Sequence, residues 1–172
     1  IDRELSYSWT KERDKIYRRI YNLYRTAPHF KASFEVIEDF LFHPDTNLFN
    51  YILNSIKRIN TYLNIDTNII ISSTLDIDHD LKSQDKVLTI CKEMKATHYI
   101  NAIGGMNLYT KDTFFKQQTY LNFIKTDNII YPQFNNEFIP FLSIIDVMMF
   151  NHQEDIQQNL LKSYTIKKKR KN

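Results

Sequence analysis

The sequence predicts an α/β fold: a helical front section, then a small mixed sheet with a βαβ crossover, then a closing helix. Three observations carry this. Apolar residues recur every three or four positions from Trp9 to Leu63, the spacing that lines one face of a helix. The period then switches at Asn68-Ile-Ile-Ile-Ser-Ser73, a short β-branched run bounded by polar residues, which reads as a buried strand. Helical spacing returns from Leu81 to Lys95 and leads into a second short strand at His98-Tyr-Ile-Asn101, so the two strands are expected to be parallel across a crossover.

Each front helix has its own signals. The first places Ile16, Ile20, Leu23, Tyr24 and Ala27 on one face, with Ser8 positioned as N-cap and Pro28 as its stop. The second turns Phe30, Phe34, Ile37 and Leu41 inward and ends at His43-Pro44-Asp45. The third, from about Thr46 to Leu63, presents Phe49, Ile52, Ile56, Ile59 and Leu63, with Asp45 or Thr46 available to cap it. After the βαβ unit, Thr110 to Gln117 reads as one or two helical turns. Thr119 to Ile124 and Asn128 to Tyr131 read as strands, and Leu142 to Phe150 as the closing helix.

A chain of 172 residues that is 42% apolar builds one sizeable core more readily than two, so residues 1–155 are expected to form one α/β domain. Residues 156–172 read as a polar and basic tail. Five of the chain's 23 basic residues fall at Lys167, Lys168, Lys169, Arg170 and Lys171; without them the 20 acidic residues outnumber the rest. The body is therefore not basic, and nucleic acid is not an expected partner. No apolar run reaches the length of a membrane span. The opening Ile1-Asp-Arg-Glu-Leu5 is not a signal peptide, and the chain is expected to begin inside a longer one. A single cysteine, Cys91, rules out an internal disulfide and fits a reducing cytoplasm.

The two glycines of the whole chain stand together, Gly104 and Gly105, directly after the second strand. A backbone there takes positive φ, approaches a ligand, or simply turns. Carboxyl ends of strands are where open α/β sheets bind. Ser72, Ser73, Asn101, Gly104, Gly105 and Tyr109 are thus the candidate ligand residues, offering hydroxyl, amide and N–H donors suited to phosphates or sugar hydroxyls. Lys86 can direct a cation toward a phosphate or carboxylate, or lie solvated on its helix. Gln133 and Asp146 are polar members of apolar phrases. A carboxylate among Ile144, Ile145, Val147 and Met148 needs a partner, so Asp146 is either a structural anchor or a base. Cys91 falls with Val87 and Met94 on an apolar face and reads as core. There is no Walker loop, no Gly-x-Ser-x-Gly elbow and no Cys/His pairing at metal spacing, so neither a cofactor nor a metal is expected.

Five phrases in series resemble the bacterial WbqC-like family. They are Trp9 with Tyr24-Arg-Thr-Ala-Pro-His-Phe30; Ser72-Ser73; Lys86-Val-Leu-Thr-Ile-Cys91 with Thr97-His-Tyr-Ile100; Gly104-Gly105 with Tyr109; and Tyr131-Pro-Gln133 with Phe138, Leu142-Ser-Ile144 and Asp146. The family usually opens with a Gln-Pro…Tyr…Pro segment that does not occur before Trp9, so the resemblance implies a chain lacking the family's N-terminal segment. Relatives often carry Ser-Gly where Asn101-Ala102 stands here. The resemblance implies a role in O-antigen or other cell-surface polysaccharide biosynthesis, as an acyl- or aminoacyl-transferase on a nucleotide-linked amino sugar. On the residues' own positions and chemistry, Asp146 and Ser72 are the catalytic candidates, with Ser73, Lys86, Asn101, Gly104, Gly105, Tyr109 and Gln133 toward the small-molecule substrate. Two alternatives stand beside the transferase reading: a noncatalytic binding or assembly factor of the same pathway, and a metal-dependent glycosyltransferase using Asp76-Ile77-Asp78.

Overall fold

The computed structural model describes residues 3–135 and 137–168. The fold is mixed α/β. Among the described residues seven helices, α1 (Trp9–Tyr24), α2 (Phe30–Leu41), α3 (Leu48–Tyr62), α4 (Ser83–Glu93), α5 (Lys111–Lys116), α6 (Ile144–Phe150) and α7 (Gln153–Gln158), accompany three strands, β1 (His98–Ala102), β2 (Tyr120–Thr126) and β3 (Tyr164–Lys168). The chain divides into two compact units, Ile1–Thr67 with Ile129–Lys162, and Asn68–Asn128 with Ser163–Asn172. Among the described residues no helix is long and apolar enough to cross a membrane.

The first unit is helical. Its core joins Phe34, Ile37, Phe40 and Leu41 of α2 to Met149 and Phe150 of α6, with Ala27 and Tyr131 between them; each large side chain so buried contributes roughly 1.5–3 kcal/mol. Leu63, Met148 and Ile156 form a second buried group. A helix end leaves carbonyls without partners, and the end of α6 is served by α2: the Ser33 hydroxyl donates to the Met148 carbonyl at 2.7 Å and the His29 N–H to the Met149 carbonyl at 3.0 Å. Ser8 takes the N-cap position of α1, but its side chain does not cap; the hydroxyl bonds instead to that of Ser6.

Helix α3 departs from expectation. Its cap is Asn47, whose Oδ1 accepts from the N–H groups of Phe49 and Asn50, while Asp45 holds Asn47 itself. Phe49, Ile52 and Ile56 are exposed, and the buried residue is Tyr51. Its hydroxyl donates to the Leu41 carbonyl at 2.6 Å, and its ring meets Trp9 edge-on. The helix is apolar around much of its circumference, so periodicity alone offered more than one inner face. The aromatic run of α1 is packing: Tyr17 and Tyr21 contact Phe34, and Tyr24 contacts Phe150.

The second unit carries the sheet, in the order β1-β2-β3. β1 and β2 are parallel, with His98 opposite Tyr120 and Asn101 opposite Phe123. β2 and β3 are antiparallel, with Asn122 opposite Lys168. The βαβ crossover is present, but it runs β1–α5–β2. The expected first strand, residues 68–73, has no ladder partner among the described residues: Ile69 and Ile70 are exposed and Ser72–Thr74 is a 3-10 turn. The Thr74 hydroxyl bonds to the Ile71 carbonyl, the local side-chain bond that competes with a ladder. Residues 128–131 likewise make no strand. One sheet face packs Tyr99, Leu121 and Phe123 against Leu88, Cys91 and Phe114. Of the anticipated tail, Tyr164–Lys168 is a sheet strand, while Lys169, Arg170 and Lys171 lie outside the described residues.

Candidate functional site

The structure gathers the sequence-derived candidates into two clusters, one in each unit, and leaves others apart. In the helical unit, Pro132 favours extended backbone at the residue before it, and side chains along an extended segment alternate. Tyr131 and Gln133 are therefore buried while Pro132 is exposed. Both reach Asp146, in the first turn of α6 and 4% exposed. Asp146 Oδ1 accepts from the Tyr131 hydroxyl at 2.7 Å and from Gln133 Nε2 at 2.9 Å. Oδ2 accepts from the Tyr24 hydroxyl at 3.0 Å. Gln133 does more: its Nε2 also donates to the Ile139 carbonyl and its Oε1 accepts from the Ile139 N–H, pinning the loop that leads into α6.

Three neutral donors around one buried carboxylate form a satisfied anchor. Burial first, and then the bond to Asp146, push the Tyr24 phenol up to about 12; the same two causes, in that order, raise the Tyr131 phenol. Neither phenol is primed to give up its proton. The three bonds tie Asp146 to the end of α1 and to the segment that precedes α6. Tyr24 and Tyr131 are the partners that sequence reasoning missed, although a carboxylate set among isoleucines signals that partners must exist.

In the sheet unit, β1 ends in a 3-10 turn, Ile103–Gly105. Neither glycine has positive φ. A Cβ on Gly105 would lie 2.7 Å from Asn101 Nδ2 and 3.7 Å from the Tyr109 ring, whereas one on Gly104 would meet nothing within 4 Å. A side chain on Gly105 would have to push aside the amide of Asn101. Asn101 Oδ1 accepts from the Ala102 N–H at 2.8 Å. Tyr109 packs edge-on against Tyr99 and Phe114, and the Tyr99 hydroxyl donates to that of Tyr109 at 3.3 Å. Burial and then this bond raise the Tyr99 phenol. Gln84 of α4 accepts from the Thr110 N–H at 2.6 Å, tying down the far end of the turn.

Other candidates are not brought to either cluster. Ser72 and Ser73 are exposed on their 3-10 turn and do not stand at the carboxyl end of a strand, because that strand does not form. Lys86 Nζ donates to the His79 carbonyl at 2.8 Å, so its cation holds the acidic loop's backbone. Within that loop Asp78 Oδ1 accepts from the Asp80 N–H, a local turn. Among the described residues no group of three or more His, Cys, Asp or Glu is placed to hold a metal ion. Cys91 is buried, and burial pushes its thiol up, as suits a core residue.

Comparison with curated proteins and with solved structures gives no significant match. Comparison with protein families does: the model of the WbqC-like protein family matches residues 2–158. That span covers the front helices, both parallel strands, the glycine turn and the Asp146 anchor, and the chain belongs to the WbqC-like protein family.

Proposed function

We propose that this protein acts in the building of O-antigen or another cell-surface polysaccharide, transferring an acyl or aminoacyl group to a nucleotide-linked amino sugar. Membership of the family supports a role in a biosynthetic pathway in general. The observation that carries the site is the turn after β1, where Gly105 leaves room for the Asn101 amide beside Tyr109. Such turns, at the carboxyl ends of parallel strands, are where α/β sheets bind ligands. An amide and a phenol hydroxyl suit the hydroxyls of a sugar. In this reading Asn101, Gly104, Gly105 and Tyr109 hold the sugar, and the exposed hydroxyls of Ser72 and Ser73 are offered to the donor. The sugar amine attacks the donor's carbonyl carbon, the new C–N bond forms as the bond to the leaving group breaks, and nitrogen releases a proton.

One observation favours a second reading, a noncatalytic binding or assembly factor. The turn cluster holds amide and phenol groups, with Cys91 buried and Asp146 already bound by three donors. Incubation with uridine- or thymidine-diphosphate amino sugars, ATP and amino-acid or acyl donors, read by mass spectrometry, separates the two. A mass gain on the sugar equal to the acyl group supports transfer. Binding without mass gain supports the second reading, and absence of binding removes both.

A further inference from the structure

The sheet of the second unit has two faces, and only one is packed by the core just described. Alternation along the strands sends Tyr99, Leu121 and Phe123 to the core, so His98, Tyr120, Asn122, Ile166 and Lys168 share the opposite face. On that face lies a cavity of about 680 Å³, lined by these five residues together with Lys111, Asp112 and Phe115 of α5. Its size falls in the range of small-molecule sites, roughly 300–1,000 Å³.

We propose that this cavity is a binding site for a small molecule in which a planar ring carries a phosphate or carboxylate group. Three features support it. The ring wall is built: His98 and Tyr120 lie 5.1 Å apart with their planes tilted by 32°, and Phe115 stands 6.4 Å from Tyr120. Phe115 is 64% exposed and Tyr120 55%, which leaves aromatic surface free to stack on a ligand. The charge is set: Lys111 and Lys168 face a single carboxylate, Asp112, so one anion is favoured over none. The third feature is Asn122, which lines the cavity from the central strand and is only 6% exposed. Its amide offers both a donor and an acceptor to a polar ligand atom.

Lys168 gives this reading its link to the sequence. The basic run looks like a solvated tail, yet Lys168 belongs to β3 and stands opposite Asn122 in register. The strand period therefore sends Lys168 to the cavity face and Lys167 to the other. The site rests on this cavity alone and not on the transfer reaction proposed above.

Calorimetric titration of the whole chain tests it with four probes: 4-hydroxybenzoate, adenosine 5′-monophosphate, inorganic phosphate, and uncharged 4-hydroxybenzamide. Binding of the benzoate or the nucleotide is expected. Which of the two binds tells a carboxylate source from a phosphate source. Lys111→Glu and Lys168→Glu should each weaken that binding by about tenfold, and Asn122→Leu should do the same, in variants whose circular dichroism melts remain cooperative. Should a strand variant fail to fold, Lys111→Glu on the surface helix carries the test alone. The site is overturned if neither ring-bearing anion binds at millimolar concentration, if the benzamide or bare phosphate binds as tightly, or if Lys111→Glu leaves affinity unchanged.

Discussion

Tyr131 donates a 2.7 Å hydrogen bond to Asp146 Oδ1, the same oxygen that takes Gln133 Nε2 at 2.9 Å. One residue of side-chain alternation places both donors on one carboxylate oxygen, and that oxygen sits in the first turn of α6. The pair fastens the segment before the loop to the helix after it. The Tyr24 hydroxyl adds the end of α1 to the same carboxylate.

Asp146→Asn follows as a stability prediction. The amide keeps one acceptor oxygen and sets an NH2 group against a hydroxyl that donates in the wild type. Hydrogen bonds to a charged group are each worth roughly 1.5–3 kcal/mol, so the substitution should cost about 2–4 kcal/mol. Urea unfolding should show a lower midpoint with an unchanged slope. Tyr24→Phe, which removes one of those bonds from a half-buried ring, should cost about 1.5 kcal/mol, the lower end of that range.

The same cluster predicts an alkaline weakness. Folding raises the Tyr24 phenol from its ordinary 10.0 to about 12, so the folded chain holds that proton more tightly than the unfolded chain does. Stability from this source is complete below about pH 10 and falls as pH rises toward about 12, because only the unfolded state ionises in that window. Urea midpoints measured across that range should decline in the wild type. They should decline less steeply in Tyr24→Phe, with Tyr131 retaining its share of the slope.

The glycine pair separates into two different residues. Gly104 has open space and no positive φ, so Gly104→Ala should be neutral or stabilising by up to about 1 kcal/mol through loss of unfolded-chain entropy. Gly105→Ala sets a methyl 2.7 Å from Asn101 Nδ2, and overpacking of this kind costs roughly 1–3 kcal/mol. Adding Asn101→Ala to Gly105→Ala should relieve the clash. A double-mutant cycle on thermal or urea stability should show this as a favourable coupling.

The sequence made some of these features legible and hid others, for physical reasons. The turns of α1 and α2 were readable because Pro28 and Pro44 punctuate a regular apolar period. The inner face of α3 was not, since its apolar arc is wide and the choice fell to the Tyr51 hydroxyl and its bond to Leu41. The run at residues 68–73 has strand composition, but a strand needs a ladder partner that composition does not disclose. β3 was hidden by lysines, which suit an edge strand as well as a tail. That Asp146 required partners was evident from its neighbours. That one of them would be Tyr24, 122 positions away in the chain, depended on how α1 meets α6.

The proposed sugar site is formed by Asn101, Gly105 and Tyr109. Equilibrium titration of uridine- and thymidine-diphosphate amino sugars into the wild type, Asn101→Ala and Gly105→Val tests that placement most directly. Binding to the wild type is expected to weaken by about tenfold or more in both variants, the size expected when a polar contact to a ligand is lost. Equal affinity in all three proteins would contradict it and reduce the turn after β1 to a plain chain reversal.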